Sequence, residues 1–207
     1  MSERTVVDMW FDPACPWAWL TSRWLLELEK VRPVDVRFHV MSLSVLNAGR
    51  TLSEDYQRLM ERSLGAVRVC AAAEHRYGAD VLRTLYTALG LRIHVHKEEV
   101  GPDLYAGALT DAGLDPALAA AATRNTYDDV LRASHEAGMS LVGNDVGTPV
   151  LHFPGPDGQV VGFFGPVVTP APRGEAAGAL WDGLRLMAAT PGFYELKRSR
   201  ERGPIFD

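Results

Sequence analysis

Cys15 is the residue whose type and position most clearly indicate chemistry. It follows an apolar stretch, Val6–Phe11, and stands directly before Pro16, where an amphipathic helix begins. Proline suits the first helical position because its fixed φ fits a helix and its missing N–H would have no partner there. Cys15 is then the N-cap, where free N–H groups and the helix dipole stabilise a thiolate. The pattern predicts a nucleophilic cysteine with a lowered pKa; the alternative is a small buried apolar residue.

Other residues with reactive or ligating side chains give weaker signals. Cys70 lies among valines and alanines on a predicted helix, so burial is its simpler explanation and a resolving role in disulfide exchange is the alternative. His94 and His96 are two residues apart, and such positions do not share a helix face, so we expect no metal site. The chain has no glycine-rich phosphate loop, and we expect no tightly bound flavin or nicotinamide cofactor.

Length, composition and charge narrow the class of protein. The 207 residues suffice for one large domain or a domain with an insertion, and 47% of them are apolar. A net charge of −5 without a basic cluster argues against a nucleic-acid partner. Met1–Thr5 leads straight into the first strand without a secretory signal, and no segment is apolar for long enough to cross a membrane. We therefore expect a cytoplasmic protein with reduced cysteines and no membrane partner.

Strand patterns occur near both ends of the chain. Val34–Val40 alternates apolar and polar residues after the helix that follows Cys15, so the N-terminal part is predicted to be a β-α-β unit with parallel strands. Val150–Phe153 and Gln159–Phe164 predict a hairpin, which a helix over residues 174–189 follows. The tail from Phe193 is predicted to form a short charged helix.

A long helical block separates these two parts. Helical spacing persists from Ser53 to about Val142, with one predicted helix ending at Gly65 and the next running from there to Gly78. The order β-α-β, helical block, β-β-α predicts an α/β thioredoxin fold with an all-helical insertion. Residues 1–52 and 143–207 would form the thioredoxin-like domain, and residues 53–142 the inserted helical domain.

Two motifs together resemble the DsbA-like branch of the thioredoxin superfamily. They are the sequences FDPACPWAW at Phe11–Trp19 and GTPV at Gly147–Val150. Nearly the whole chain is similar to the mycothiol-dependent reductases of that branch, which are often labelled mycothiol-dependent nitroreductases. The segments TSRW at Thr21–Trp24, HVMSL at His39–Leu43 and FFGP at Phe163–Pro166 match this subgroup as well.

The resemblance implies further site residues around Cys15. In this superfamily a cis-proline lies against the active-site cysteine, and Thr148-Pro149 stands at that position; the alternative is an ordinary trans proline at the start of a strand. Trp17, at the start of the helix, would form a wall of the site; the alternative is a core residue, because Trp17 stands at helical spacing with Leu20 and Trp24. Asn47 and Tyr56 would contact the substrate, because the corresponding region lines the cleft of the similar reductases; a turn residue and a half-buried tyrosine are the alternatives for these two.

Ala18 departs from the family pattern, which has a second cysteine there. An alanine prevents a Cys-x-x-Cys disulfide, so a mixed disulfide at Cys15 needs another thiol to resolve it. Two origins of Ala18 are compatible with the sequence: a natural alanine and an engineered replacement of a resolving cysteine. We therefore expect a monothiol rather than a dithiol mechanism.

These observations predict a thiol-disulfide oxidoreductase that works through Cys15, with Pro16, Trp17, Thr148 and Pro149 shaping its site. Its partners would be a low-molecular-weight thiol, mycothiol or glutathione, as co-substrate, together with a disulfide or electrophilic substrate. Two alternatives remain. One is a thiol S-transferase similar to the kappa-class glutathione transferases, in which the protein activates a bound thiol. The other is a module without redox turnover that binds a small thiol or hydrophobic ligand.

Overall fold

The structure is a computed structural model that describes residues 4–206, apart from the side chains of residues 55, 56, 59, 61 and 62. Its four strands are β1 (Thr5–Phe11), β2 (Val34–Val40), β3 (Val150–Pro154) and β4 (Val160–Phe164). Its α-helices are α1 (Pro16–Val31), α2 (Leu43–Leu46), α3 (Glu54–Tyr77), α4 (Val81–Gly90), α5 (Pro102–Asp111), α6 (Asp128–Met139) and α7 (Glu175–Ala188). A π-helical turn (Leu91–Val95) follows α4, and a 3₁₀ helix (Pro116–Thr123) precedes α6.

The four strands form one mixed sheet in the order β2-β1-β3-β4. β1 pairs with β2 in parallel, with Val7 opposite Val36, and antiparallel with β3, with Met9 opposite Leu151. β3 and β4 form an antiparallel hairpin. The predicted parallel β-α-β unit and terminal hairpin are confirmed, and with them the α/β thioredoxin fold with a helical insertion.

One apolar core joins the thioredoxin part to the helical insertion. Phe11 of β1, for example, stacks on Tyr86 of α4 with ring centroids 3.7 Å apart. Trp24 of α1 is fully buried, and its indole Nε1 donates to the Ala177 carbonyl of α7 at 3.0 Å. The insertion between β2 and β3 therefore packs into the same core as the sheet. Its division from the rest of the chain at residues 52 and 142 stays a prediction.

α3 runs unbroken through Gly65, so the predicted helix end at this glycine is wrong. Gly65 has a different role, because a Cβ atom there would lie 2.8 Å from the hydroxyl oxygen of Tyr105. The glycine lets α5 approach α3 closely. Local sequence could not separate this packing role from a helix-ending one, since the contact joins residues 40 positions apart.

α6 covers the second face of the sheet. The Nε1 group of Trp10 donates to the Ser134 carbonyl at 2.9 Å, and the ring of Trp10 packs between His39 and His152. A Cβ atom at Gly138 would lie 2.5 Å from the Trp10 ring, so the glycine makes room for the indole. Both faces of β1 are thus covered, so a site can form only at the end of this strand, in the loop that follows it.

The C-terminal segment 193–206 contains no helix, so the predicted charged helix there is wrong. Its residues contact several other parts of the chain instead, as described below. None of the described helices is long and apolar enough to span a bilayer.

Candidate active site at the start of α1

β1 ends at Phe11, and a tight turn places Cys15 at the start of α1. The Cys15 N–H donates to the Asp12 carbonyl at 2.9 Å, and the Ala14 N–H donates to the Asp12 carboxylate Oδ1 at 2.9 Å. Cys15 has an extended backbone, with φ −82° and ψ 113°, and is the N-cap of the helix that Pro16 opens. The helix start therefore lies where the cysteine-proline pair predicted it.

The Cys15 sulfur lies between two backbone groups. The thiol donates to the Thr148 carbonyl with Sγ and O 3.2 Å apart, and Sγ accepts from the Ala18 N–H at 3.5 Å. Only 7% of the residue is exposed. The sulfur is thus held at the helix start with one donor and one acceptor already engaged.

The segment that faces the sulfur is fixed to the sheet on both sides. The Thr148–Pro149 peptide bond is cis. Thr148 Oγ1 donates to the Trp10 carbonyl at 2.8 Å, and the Pro149 carbonyl accepts from Gly165 N–H at 2.9 Å. The structure therefore brings Thr148 together with Cys15, as the resemblance implies, and anchors it to β1 and to the end of β4.

The pKa of Cys15 differs from the sequence-based expectation. Burial raises the pKa of the thiol to about 11, and the negative charge of Asp12 adds to this rise. The N–H groups of Ala18 and Trp17 and the charge of Arg200 act in the opposite direction but do not outweigh burial. The expected lowered pKa is therefore wrong. Loss of hydration destabilises the thiolate more than the N–H groups at the helix start stabilise it.

Asp12 is a site residue that the sequence reasoning missed. It is fully buried, and its carboxylate accepts from the Ala14 N–H at 2.9 Å and from the Leu43 N–H at 2.8 Å. Burial raises its pKa to about 6, against these two hydrogen bonds, which lower it. The carboxylate thus joins the Cys15 turn to the start of α2. An aspartate between an aromatic residue and a proline was the available signal.

The remaining predicted site residues have unequal support. Trp17 is half-buried, and the guanidinium carbon of Arg200 lies 5.0 Å from its ring centroid. Asn47 caps α2 and donates from Nδ2 to the Leu43 carbonyl at 2.8 Å, so its amide is engaged in its own turn. The side chain of Tyr56 lies outside the described residues. The substrate contacts of Asn47 and Tyr56 stay predictions.

His94 belongs to the surroundings of the site through a contact that the sequence did not indicate. It is buried, and its Nε2 donates to the Pro13 carbonyl at 2.8 Å, inside the cysteine turn. Burial lowers its pKa to about 4, so the ring is neutral at pH 7. The described residues contain no group of three or more His, Cys, Asp or Glu that could hold a metal ion.

Cys70 lies in the middle of α3 and has no exposed surface. Burial raises the pKa of its thiol, and the negative charges of Asp12 and Glu74 add to the rise. Both effects disfavour the thiolate that a resolving thiol must supply.

Two segments that matched the mycothiol-dependent subgroup also meet in the structure. Thr21 Oγ1, on α1, donates to the Pro166 carbonyl at 2.7 Å, just after β4.

The model of the Rv2466c-like family, described as mycothiol-dependent nitroreductase Rv2466c, matches residues 14–198. The chain belongs to this family.

A mycobacterial relative supports the membership of the Rv2466c-like family. The uncharacterized protein Rv2286c of Mycobacterium tuberculosis is 31% identical over 204 residues, which cover 97% of this chain and 85% of that protein. The predicted resemblance to the mycothiol-dependent subgroup is therefore confirmed, and membership of this family supports an oxidoreductase.

Solved structures with low sequence identity share the fold. The cytosolic disulfide reductase DsbM from Pseudomonas aeruginosa is 20% identical, with a TM-score of 0.55 over 87% of this chain and 99% of that one. The probable DsbA oxidoreductase SCO1869 from Streptomyces coelicolor is 18% identical, with a TM-score of 0.57 over 96% of this chain and 95% of that one. Both show that this Rv2466c-like chain has a DsbA-like fold.

Proposed function

We propose that Cys15 acts as the single protein nucleophile in thiol-disulfide exchange and that a low-molecular-weight thiol completes each turnover. The observation that carries this proposal is the placement of the Cys15 sulfur at the start of α1, between the Thr148 carbonyl and the Ala18 N–H. The position where the DsbA-like pattern has a second thiol is occupied by Ala18. The family's description favours mycothiol as the small thiol, with glutathione as the alternative.

The exchange needs two attacks on sulfur. In the first, the Cys15 thiolate attacks one sulfur of a disulfide, a Cys15–S–S–R bond forms, and the other half leaves as a thiolate that takes up a proton. In the second, the thiolate of the small thiol attacks the mixed disulfide and releases Cys15. One cycle thereby releases one half of the substrate as a thiol and leaves the other half in a disulfide with the small thiol. A second molecule of the small thiol must attack that disulfide before both halves are reduced and the two small thiols are joined as one disulfide.

The neighbouring residues would have separate roles in these attacks. Pro16 opens the helix whose N–H groups face the sulfur. Thr148 and Pro149 would orient an extended bound thiol or substrate, and Trp17 would form the wall beside it. Asn47 and Tyr56 are proposed as substrate contacts from the α2 and α3 side. We propose the cytoplasm as the location, because small thiols keep a free cysteine reduced there.

Because Cys15 is buried and its thiol is protonated at neutral pH, the thiolate must form when the surroundings of the sulfur become more polar. Loss of hydration is the largest cause of its raised pKa. Entry of water or of a polar co-substrate next to the sulfur therefore lowers the pKa. The same raised pKa favours, as a second candidate, a kappa-type S-transferase in which the protein binds the small thiol and Cys15 forms no adduct.

Intact-protein mass spectrometry after exposure to oxidised mycothiol or oxidised glutathione tests the proposal. We expect a mass increase of one thiol on the wild type, its removal by added free thiol, and no adduct on Cys15→Ser. Cys70→Ser is the matched control and should form the adduct like the wild type. Ala18→Cys should convert the adduct into an internal disulfide, because the second thiol stands one helical turn from the first.

Three results would contradict this function. An adduct on Cys15→Ser would place the reactive sulfur elsewhere. Conjugation of an electrophile to the small thiol at an undiminished rate in Cys15→Ser would indicate the transferase. A protein that forms no adduct and turns over no substrate with either thiol would be the ligand-binding module.

A further inference from the structure

The segment 193–206, here called the C-terminal arm, is anchored to the thioredoxin part at both ends. The ring of Phe193 packs against that of Phe163 in β4, with centroids 6.0 Å apart. Near the other end, the Ile205 N–H donates to Thr169 Oγ1 at 2.8 Å. The C-terminal arm is therefore in contact with the thioredoxin part near its first and its last residues.

The last contacts of the arm are made next to the cysteine turn. The ring of Phe206 stacks on His94 with centroids 5.6 Å apart, and His94 donates to the Pro13 carbonyl. The ammonium of Lys97 lies 4.5 Å from the centroid of the same Phe206 ring. The positive charge of Lys97 therefore lies close to the last residue of the arm that the structure describes.

Arg200 lies between the two anchors and beside the site. Its guanidinium carbon is 5.0 Å from the centroid of Trp17, two residues after Cys15. Arg200 is exposed and forms no ion pair with a carboxylate in the part of the chain that the structure describes. A guanidinium without a carboxylate partner retains its attraction for an anion from solution.

Asp12 and Arg200, whose charges act on the pKa of Cys15, differ in their exposure to solvent. The negative charge of Asp12 is fully buried, whereas the positive charge of Arg200 is on the exposed arm. A reagent that approaches the sulfur from solvent therefore meets the cation before the buried carboxylate. The cation also favours the thiolate, since it acts to lower the pKa of Cys15.

We propose that Arg200 is a specificity-determining residue that selects disulfides carrying a carboxylate or similar anion close to the sulfur that Cys15 attacks. This inference rests on the proposed function, in which the Cys15 thiolate attacks one sulfur and the other leaves as a thiolate. The guanidinium attracts the anionic group while the S–S bond exchanges, and Trp17 holds the guanidinium in place by its ring face.

Two aromatic disulfides, one with carboxylates and one without, test the inference. Dithiobis-nitrobenzoate carries two carboxylates and dithiodipyridine carries none, and each releases a coloured thiol when Cys15 attacks it. The measured quantity is the ratio of the second-order rate constants for the two reagents, with Cys15→Ser as the blank. A change in the Cys15 pKa alters both rates together, so the ratio reports the attraction of the anion alone.

We expect Arg200→Gln to lower the ratio about fivefold to tenfold at low salt, and Arg200→Lys to retain most of it. Arg198→Gln is the matched control, because it removes the same charge from an exposed position of the same arm and should change the ratio less than about twofold. The wild-type ratio should fall as salt is added, whereas the ratio of Arg200→Gln should change little.

The outcomes separate this inference from the proposed function. If Arg200→Gln leaves the ratio unchanged, or slows both reagents equally, the selection by Arg200 is wrong while nucleophilic attack by Cys15 stands. If the wild type reacts with neither reagent faster than Cys15→Ser does, the nucleophile itself is wrong, and the selection is overturned with it.

Discussion

The two cysteines occupy different kinds of backbone. Cys15 caps a helix at the end of a turn, where its sulfur contacts the Thr148 carbonyl and the Ala18 N–H. Cys70 lies midway along α3, where the backbone N–H and C=O groups are used by the helix itself. Both residues are buried, with exposed fractions of 7% and 0%. Cys15 thus retains a small exposed fraction that Cys70 lacks, and the backbone around each sulfur differs as well.

Electrostatics adds a second difference between the two cysteines. Burial raises the pKa of both thiols, and the charge of Asp12 adds to the rise in each. Cys70 has a further negative neighbour, Glu74, whereas Cys15 has the positive Arg200. A thiolate at Cys15 thus has a backbone donor and a cation in its favour. Of the two buried cysteines, only Cys15 therefore has neighbouring groups that favour the thiolate.

The largest expected effect is on the labelling of the two thiols in the native protein. Iodoacetamide at pH 8 should modify Cys15 on the order of a thousandfold faster than Cys70, because Cys70 reacts only after the core around α3 opens. Digestion and mass spectrometry of peptides at successive times give both rates. Labelling of Cys15 should still be slower than that of a free thiol, since its pKa is about 11.

Labelling in concentrated urea is the control for this comparison. There both cysteines should react at similar rates, because unfolding removes every difference in burial and neighbouring charge. Equal rates without denaturant would show that the helix start gives Cys15 no advantage.

The second prediction concerns Asp12, which lies near both cysteines. Its pKa is raised from 3.8 to about 6, so the folded state holds its proton more tightly than the unfolded state between these values. The free energy of unfolding therefore falls as pH rises through this range, by about 2 kcal/mol between pH 4 and pH 7 from this group. Asp12→Asn should remove that fall, which urea unfolding at several pH values measures.

Asp145→Asn is the matched control, since Asp145 is exposed in the loop before β3. Its free energy of unfolding should keep the wild-type dependence on pH. Asp12→Asn should also speed the labelling of Cys15, because it removes a negative charge that raises the pKa of this thiol. A pH dependence that Asp12→Asn leaves unaltered would contradict the role of the buried carboxylate.

The parts of the fold that local sequence predicts are those with local causes. Pro16 directly after Cys15 determines where α1 begins, and the alternation in Val34–Val40 determines β2. The hairpin of β3 and β4 follows from two short apolar runs around a Pro-Gly turn. In each case residues within a few positions of one another supply the physical reason.

The features that local sequence could not predict arise from contacts between distant residues. Gly65 lies within α3 and leaves space for Tyr105. Asp12 accepts a hydrogen bond from the Leu43 N–H, 31 positions away. His94 reaches the Pro13 carbonyl across 81 positions. The raised pKa of Cys15 has the same origin, since the burial that causes it comes from elements packed together only in the folded chain.

The smallest expected effect tests how α1 is joined to the insertion. A Cβ atom at Gly90, the last residue of α4, would lie 2.1 Å from the ring of Trp19, the last residue of the cysteine motif on α1. Gly90→Ala must displace this buried indole. We expect a net loss of about 1 kcal/mol in the free energy of unfolding, since overpacking exceeds the gain in helix propensity. Gly183→Ala in α7 is the matched variant: a Cβ atom there meets nothing within 4 Å, so the change should stabilise by about 0.5–1 kcal/mol. Urea unfolding measures both, and equal gains in the two variants would show that Trp19 does not need the space at Gly90.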